Sequence, residues 1–402
     1  MLAATAVTLF AIRAPSTHAA EAEISPTSQA LERLGITAPW ETVEKLPIQK
    51  QLEILAREKC DSSAIDALGQ ELSAEGYKRD AANAHVRFAS ECGGRIRSFE
   101  TAASIFITLA DAPQAVAVAD EIVKREPFNH KGYYLRARAN DLGDEPAKAI
   151  DDYTTSIELF GNKSQISSSV YLALARAHEK LGQFCEAVGP IETWVALDPS
   201  SNDTTQTRAI IANYIRQGQC ANGVSGKTEV FAARTGANVT VVQASINGVR
   251  GNFIIDTGAT AVAVTKSFAD KAKVVLDAKS SVLISTANGI STAQRGNASK
   301  IELRSLKAAN VQVLVQADTK AAFGEKIDGL LGMSFLSRFN LAMDAHTVKI
   351  SALGGSETAP AATGSVEKLK PSAPAASGPS RKISKPHKEP SPGKNTPSIF
   401  PW

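Results

Sequence analysis

The chain has 402 residues, 43% of them hydrophobic and 21% charged, enough for two or three domains that each bury a sizeable core. A formal net charge of +3 is too small to argue for nucleic acid as a partner. Four cysteines, none in C-x-x-C spacing, speak against metal and thioredoxin-like readings. H-E-x-x-H, G-x-S-x-G and G-x-G-x-x-G are all missing and the six histidines are scattered, so neither a metal nor a nucleotide cofactor is implied.

In chain order, Met1 to Phe10 is apolar and small, Arg13-Ala14-Pro15 breaks the run, and Thr17-His18-Ala19 offers a small-x-small cleavage site. Residues 1–20 therefore read as a signal peptide that lacks its basic leading segment. The run is too short for an ordinary membrane span, so no integral span is expected. Export to the periplasm or secretion follows; the alternative is an anchor lying upstream, with the chain held at the membrane and facing the periplasm.

Residues 26–220 are helical by pattern, rich in Ala and Leu with few β-branched runs. Within them, Gly76-Tyr77 is followed by Ala81 and Phe88, Ala110-Asp111 by Ala115, Leu142-Gly143-Asp144 by Ala149 and Tyr153, and Leu181-Gly182-Gln183 by Ala187. The steps from Gly76 to Ala110 to Gly143 are 34 and 33 residues, and the last is longer because residues 161–169 are inserted. Small residues at fixed places let the two helices of a hairpin approach closely, and each hairpin then buries its face on its neighbour. This region resembles tetratricopeptide repeats, about three and a half of them with a capping helix from Thr207 to Gln217. The resemblance implies a concave groove for a peptide or a protein partner; a spacer role for the solenoid is the alternative. Tyr133, Arg136 and Asn140 are groove candidates because they stand one turn apart on a helix.

In an exported protein the four cysteines form two bridges. Spacing suggests Cys60 with Cys92 and Cys185 with Cys220, and the other two pairings stay open. Residues 221–227 read as a linker. Their P-loop likeness fails because Ala221 stands where the motif needs Gly and because the segment follows a helix and precedes strands.

From 228 to 352 the pattern turns to strands: Thr228 to Ala233, then Val239 to Ile246, with Asn247-Gly248 as a two-residue hairpin turn into Val249 to Ile255. A short amphipathic segment at Ser267 to Lys273 follows, then strands at Val282 to Ser285, Ser299 to Leu303, Lys307 to Gln316, Asn340 to Met343 and Thr347 to Ile350. Short strands at this spacing imply a small closed barrel. Residues 355–402 are Pro-, Ser-, Ala- and Lys-rich with almost no core formers, so they read as a disordered, basic, solubilising tail.

The strand that ends at Ile255 delivers Asp256 into Thr257-Gly258-Ala259, a charge at the end of a buried run. This hydrophobic-hydrophobic-Asp-Thr-Gly-Ala segment, the run Val282 to Gly289 and the segment Asp328-Gly329-Leu330-Leu331-Gly332-Met333-Ser334-Phe335-Leu336, an element that precedes a short helix, together resemble the bacterial single-lobe, retropepsin-like aspartic proteases. The resemblance covers about residues 228 to 352 and implies an aspartic endopeptidase with a peptide or protein substrate. Asp256 would be catalytic, with Thr257 locking two active loops together, Gly258 letting the backbone pass close, and the Ala259 amide donating to the carboxylates. Thr286, Ala287, Asn288 and Gly289 would form the flap over substrate, and Leu330, Leu331 and Gly332 would pack beneath the loop. Asp328 and Asp344 read as turn residues. With one D-T-G in the chain and no second copy of the lobe, the resemblance implies a homodimer in which each subunit brings one Asp256. The expected architecture is therefore an all-α tetratricopeptide-like solenoid followed by an all-β retropepsin-like barrel and a tail. A non-catalytic binding scaffold, dimerised by the β-lobe, is the competing reading.

Overall fold

The computed structural model describes residues 25–220, 224–232, 239–286, 289–318, 323–343 and 346–352. The signal-peptide reading, the tail, Ala287 and Asn288 of the flap, and Asp344 lie outside the described residues. The chain divides into two compact units, 1–156 and 157–402.

The helices are α1 (Pro26–Leu34), α2 (Trp40–Val43), α3 (Leu46–Arg57), α4 (Ser62–Ala74), α5 (Lys78–Glu91), α6 (Ile96–Thr108), α7 (Ala112–Arg125), α8 (His130–Leu142) and α9 (Pro146–Leu159). Then follow α10 (Ser168–Lys180), α11 (Phe184–Leu197), α12 (Pro199–Asn202) and α13 (Thr205–Gly218). The repeat shows most plainly where the hairpins turn. After α4, α6, α8 and α10 a residue enters the left-handed region: Gly76, Ala110, Asp144 and Gly182. At each turn the next amide reaches back five residues, Tyr77 to the carbonyl of Leu72, Asp111 to Phe106, Glu145 to Asn140 and Gln183 to His178, at 2.8 to 3.0 Å. This is the bond that satisfies orphan carbonyls at a helix end. At the third turn the left-handed residue is Asp144 rather than Gly143, so the first two steps are both 34 residues.

In the 1–156 unit, alanines sit where helices meet: Ala82 and Ala89 of α5, Ala102 and Ala103 of α6, Ala115 and Ala119 of α7 and Ala139 of α8 share one core with Phe99 and Phe106. The three groove candidates are committed inside this unit. Arg136 forks onto Asp152 at 3.0 and 2.7 Å and also reaches Asp120 at 2.9 Å, Asn140 donates to Asp152 at 2.9 Å, and the Tyr133 hydroxyl donates to the carbonyl of Pro127. Their shared helix face points them at neighbouring helices, where the bidentate Arg136–Asp152 pair offsets the desolvation of a buried carboxylate.

The strands are β1 (Glu229–Ala232), β2 (Thr240–Ile246), β3 (Val249–Ile255), β4 (Val262–Thr265), β5 (Val275–Leu276), β6 (Val282–Thr286), β7 (Gly289–Leu303), β8 (Leu306–Gln316), β9 (Gly329–Leu331), β10 (Phe339–Met343) and β11 (Thr347–Ala352). Two short helices accompany them, α14 (Lys266–Lys271) and α15 (Met333–Leu336). Pairing runs β2-β3-β9-β4-β8-β7, and β7 returns to β2 through Ser245 opposite Glu302 and Ile246 opposite Ile301, so six strands close a barrel. β5 and β6 pair onto β7, and β1, β11 and β10 form a separate three-stranded sheet. Inside lie Phe253, Ile255, Val264, Ile301, Val313, Leu331 and Phe335, all buried.

The β2–β3 turn is the expected one, with Asn247 and Gly248 both at positive φ as a two-residue hairpin of this twist requires. Two of the differences from expectation bear on the site. β7 starts at Gly289 and runs 15 residues, where the sequence suggested a strand only from Ser299. Gly329–Leu331, expected only as support for the loop, is a strand in its own right. In the 157–402 unit the last repeat helices share the barrel's packing: α11 lies against α15 and β8, Glu186 accepts from Asn297 at 2.9 Å, and Glu192 meets Arg338 at 3.3 Å.

Candidate active site

Asp256 follows directly on β3, and its position is set by the strand beside it. β3 pairs in parallel with β9, placing Ile254 opposite Leu330 and Ile255 opposite Leu331, and the Asp256 amide continues the ladder by donating to the Leu331 carbonyl at 3.0 Å. β9 pairs on its other side with β4, which leaves the loop. The segment 256–261 thus arches between two strands that share one neighbour, and that neighbour lies under it.

The loop is stitched down at both ends. Beyond β9, the Met333 amide donates to the Ala259 carbonyl at 2.8 Å and the Ser334 amide to the Thr260 carbonyl at 3.0 Å. Approach this close leaves no room for a side chain on the supporting strand. A Cβ on Gly332 would stand 2.2 Å from the Ala261 carbonyl oxygen, and one on Gly329 would stand 2.1 Å from that of Ala263. Leu331 is fully buried beneath, while Leu330 is half-buried. Ser334, part of the motif read from sequence but given no role there, is buried and takes the Val262 amide at 2.9 Å while donating to the Gln312 carbonyl at 2.8 Å.

At the tip, the amide that donates to Asp256 is that of Gly258, to Oδ1 at 2.9 Å; Ala259 contributes its carbonyl instead. Asp256 is half-buried, and Thr257 and Gly258 are exposed. Asp328 is structural: its Oδ2 accepts from the Asn252 amide at 2.8 Å and its own amide donates back to the Asn252 carbonyl, pinning β3 to the entry of β9. β6 and β7 form the expected flap-like hairpin, with Thr286 opposite Gly289 and its hydroxyl donating to the Gly289 carbonyl at 2.7 Å.

Sequence reasoning also missed buried ionisable groups in the helical part of the 157–402 unit. Glu158, in the last turn of α9, is 6% exposed, and its Oε1 is buried without a hydrogen-bond partner. Burial pushes its carboxyl up to about 7, against the opposing pull of Lys163, and the charge on Asp256 adds to the rise. Lys163 Nζ is engaged elsewhere, donating to the carbonyls of Ile157, Glu158 and Phe160 at the end of the helix. The Tyr171 hydroxyl is buried and unpartnered, and burial followed by the Glu158 charge raises it above the usual phenol range.

Two disulfides are present, Cys60–Cys92 and Cys185–Cys220, the pairing that spacing favoured, and they fit an oxidising compartment. Among the described residues no helix is long and apolar enough to cross a membrane.

Residues 242–335 match the family model described as aspartyl protease. Among solved structures, the chain is similar to a retropepsin-like aspartic protease from Rickettsia conorii, at 24% identity over 32% of this chain and 94% of that one, with a TM-score of 0.25. It is also similar to a thermophilic TPR protein of Thermus thermophilus, at 14% identity over 48% and 97%, with a TM-score of 0.32. A third is MamA from Desulfovibrio magneticus RS-1, at 13% identity over 44% and 97%, with a TM-score of 0.33. No curated protein matches the chain. Behind the repeated helical hairpins, residues 242–335 thus resemble the aspartyl protease family in sequence.

Proposed function

We propose that the protein is an exported aspartic endopeptidase with Asp256 as its reacting carboxylate. The observation that carries this reading is the arched loop itself: a half-buried carboxylate held over β9, with the Gly258 amide aimed at Oδ1 and a flap-like hairpin in the same barrel. Peptide hydrolysis by carboxyl groups alone needs two of them sharing one proton. The ionised one takes a proton from water as the water oxygen attacks the scissile carbonyl carbon, and the protonated one gives its proton to the carbonyl oxygen. The C–N bond then breaks as the amine nitrogen is protonated. A second Asp256 from a second chain supplies the partner, across a two-fold axis, and Thr257, which is exposed, bonds between the two loops in this reading. Closing the β6–β7 hairpin excludes water from the bound peptide. The repeats recruit the substrate or a partner protein, in the periplasm or outside the cell.

The test is a peptide-library digest by wild type and Asp256→Asn across a range of enzyme concentrations. Wild type should cleave, and its specific activity should rise with concentration through the assembly range. Asp256→Asn should be inactive by itself and, added in excess, should poison wild type. Cleavage that persists in the variant rejects the reading; full activity from a demonstrable monomer rejects the shared site.

A further inference from the structure

The formal charge of +3 conceals an uneven spread: residues 1–223 hold 22 Lys and Arg against 29 Asp and Glu, and residues 224–402 hold 22 against 12. Part of that excess gathers at the end of the barrel away from Asp256. β3 begins there beside Arg250 and delivers Asp256 at its other end, about 20 Å away at the usual rise of a strand. Across the strands Arg250 stands opposite Ser245, Ser245 opposite Glu302 and Glu302 opposite Lys307. Lys300 and Lys307 each meet the Glu302 carboxylate at 3.2 Å. Asn247 ties in the segment that carries Lys273, donating from its side chain to the Ala272 carbonyl at 2.9 Å and from its backbone to the Lys300 carbonyl at 2.8 Å. Lys227 joins from the other side, its amide donating to the Ser305 hydroxyl at 3.1 Å. Arg304 is spent locally, paired with Glu229 at 3.4 Å and lying over the Phe231 ring. Five cations, Lys227, Arg250, Lys273, Lys300 and Lys307, thus surround the carboxylate of Glu302, and the first three are exposed and make no ion pair among the described residues.

Two further observations fall at the same end. Val275, two residues after Lys273, is 72% exposed and stands opposite Asn297, three residues before Lys300 on β7. Residues 353–402 carry seven Lys and Arg against three Asp and Glu, and they follow Ala352, two positions beyond the Ile350 that pairs with Glu229. Glu229 in turn accepts from the Ser305 amide at 3.2 Å, so the basic segment starts beside the cationic cluster. We propose that this end of the barrel, together with the basic segment that follows it, is a docking surface for a membrane bearing anionic lipid headgroups. Cations carried on neighbouring turns of one end can all come within a Debye length of a flat anionic surface, where their attractions add. Val275 supplies an apolar side chain to enter the headgroup region beside Lys273. The two disulfides fit an exported chain, which meets lipid rather than nucleic acid. Docked in this way the protein lies on a bilayer without crossing it, and the Asp256 loop faces away from the lipid.

Co-sedimentation of the full chain with vesicles tests this without any peptide substrate. Vesicles of phosphatidylcholine with about a third phosphatidylglycerol should bind the protein about tenfold or more tightly than phosphatidylcholine alone, and the preference should fade as salt rises from about 0.05 to about 0.5 M. The combined variant Lys227→Glu, Arg250→Glu and Lys273→Glu should lose about tenfold or more of that affinity, with its thermal melt checking that the barrel is folded. Should charge reversal unfold it, Arg250→Gln with Lys273→Gln carries the same test with a smaller loss. Replacing Arg381, Lys382, Lys385 and Lys388 by Gln should weaken binding by a few fold, the share that belongs to the basic segment. Asp256→Asn should bind as wild type does, so the docking and the protease reading stand or fall separately. Equal binding to neutral vesicles overturns the proposal, as does a folded barrel variant that binds like wild type. Capture by soluble dextran sulfate of a protein that ignores both kinds of vesicle overturns the assignment to lipid.

Discussion

The Asp256 loop owes its shape to what its support lacks. Gly332 and Gly329 bring β9 and its exit against backbone carbonyls that have no freedom to move, so even one added methyl forces strands apart. Gly332→Ala should destabilise the barrel by about 3 kcal/mol or more, the upper end of overpacking costs, and urea unfolding of the 157–402 unit measures it. Ser334→Ala should cost less, about 1–3 kcal/mol, by orphaning the Val262 amide rather than creating a clash. Asp256, the glycines around it and the flap hairpin were legible in the sequence because their chemistry is confined to short contiguous motifs. Glu158 was not legible. A glutamate on a polar helix end looks like a solvated charge, and only the fold buries it.

At the level of elements, the repeats were readable because each turn needs a left-handed residue and a small neighbour, and these recur at a fixed interval. The long strand β7 was harder. Gly296 and Asn297 interrupt its alternation, and burial along it shifts as the strand serves the flap hairpin at one end and barrel closure with β2 at the other. β9 is three residues of Gly-Leu-Leu, too short for any period to show. The disulfides make their own prediction at this scale. Cys185–Cys220 ties the start of α11 to the residues after α13 across a separation of 35, and Cys60–Cys92 spans 32 in the other unit. Replacing Cys185 and Cys220 together by Ala should lower the stability of the 157–402 unit by about 2–4 kcal/mol and leave the first unit's transition in place. Calorimetry with and without reductant distinguishes the two bridges.

Across the whole molecule, buried titratable groups give the two units different responses to acid. His85 of the first unit is buried, and desolvation holds its imidazole down at about 4. As pH falls from the ordinary 6.5 towards 4, the unfolded chain takes up a proton that the folded unit refuses, so stability is present above 6.5 and lost on the way down, by roughly 3 kcal/mol. His85→Asn should flatten this slope in thermal melts at a series of pH values. Glu158 has the opposite sign: with its folded value raised to about 7, its contribution is full below 4.5 and lost as pH climbs to 7. The three-stranded sheet carries a consequence of another kind. β1 finds its partner in β11, Glu229 opposite Ile350 and Ala232 opposite Thr347, so the first strand of the barrel region waits for the last. Helices completed early need only near neighbours and can form while the rest of the chain is still being made. The β-rich part has no such option. Until residues 347–352 emerge, β1 has no mate, and the three-stranded sheet stays open after everything before it has been made.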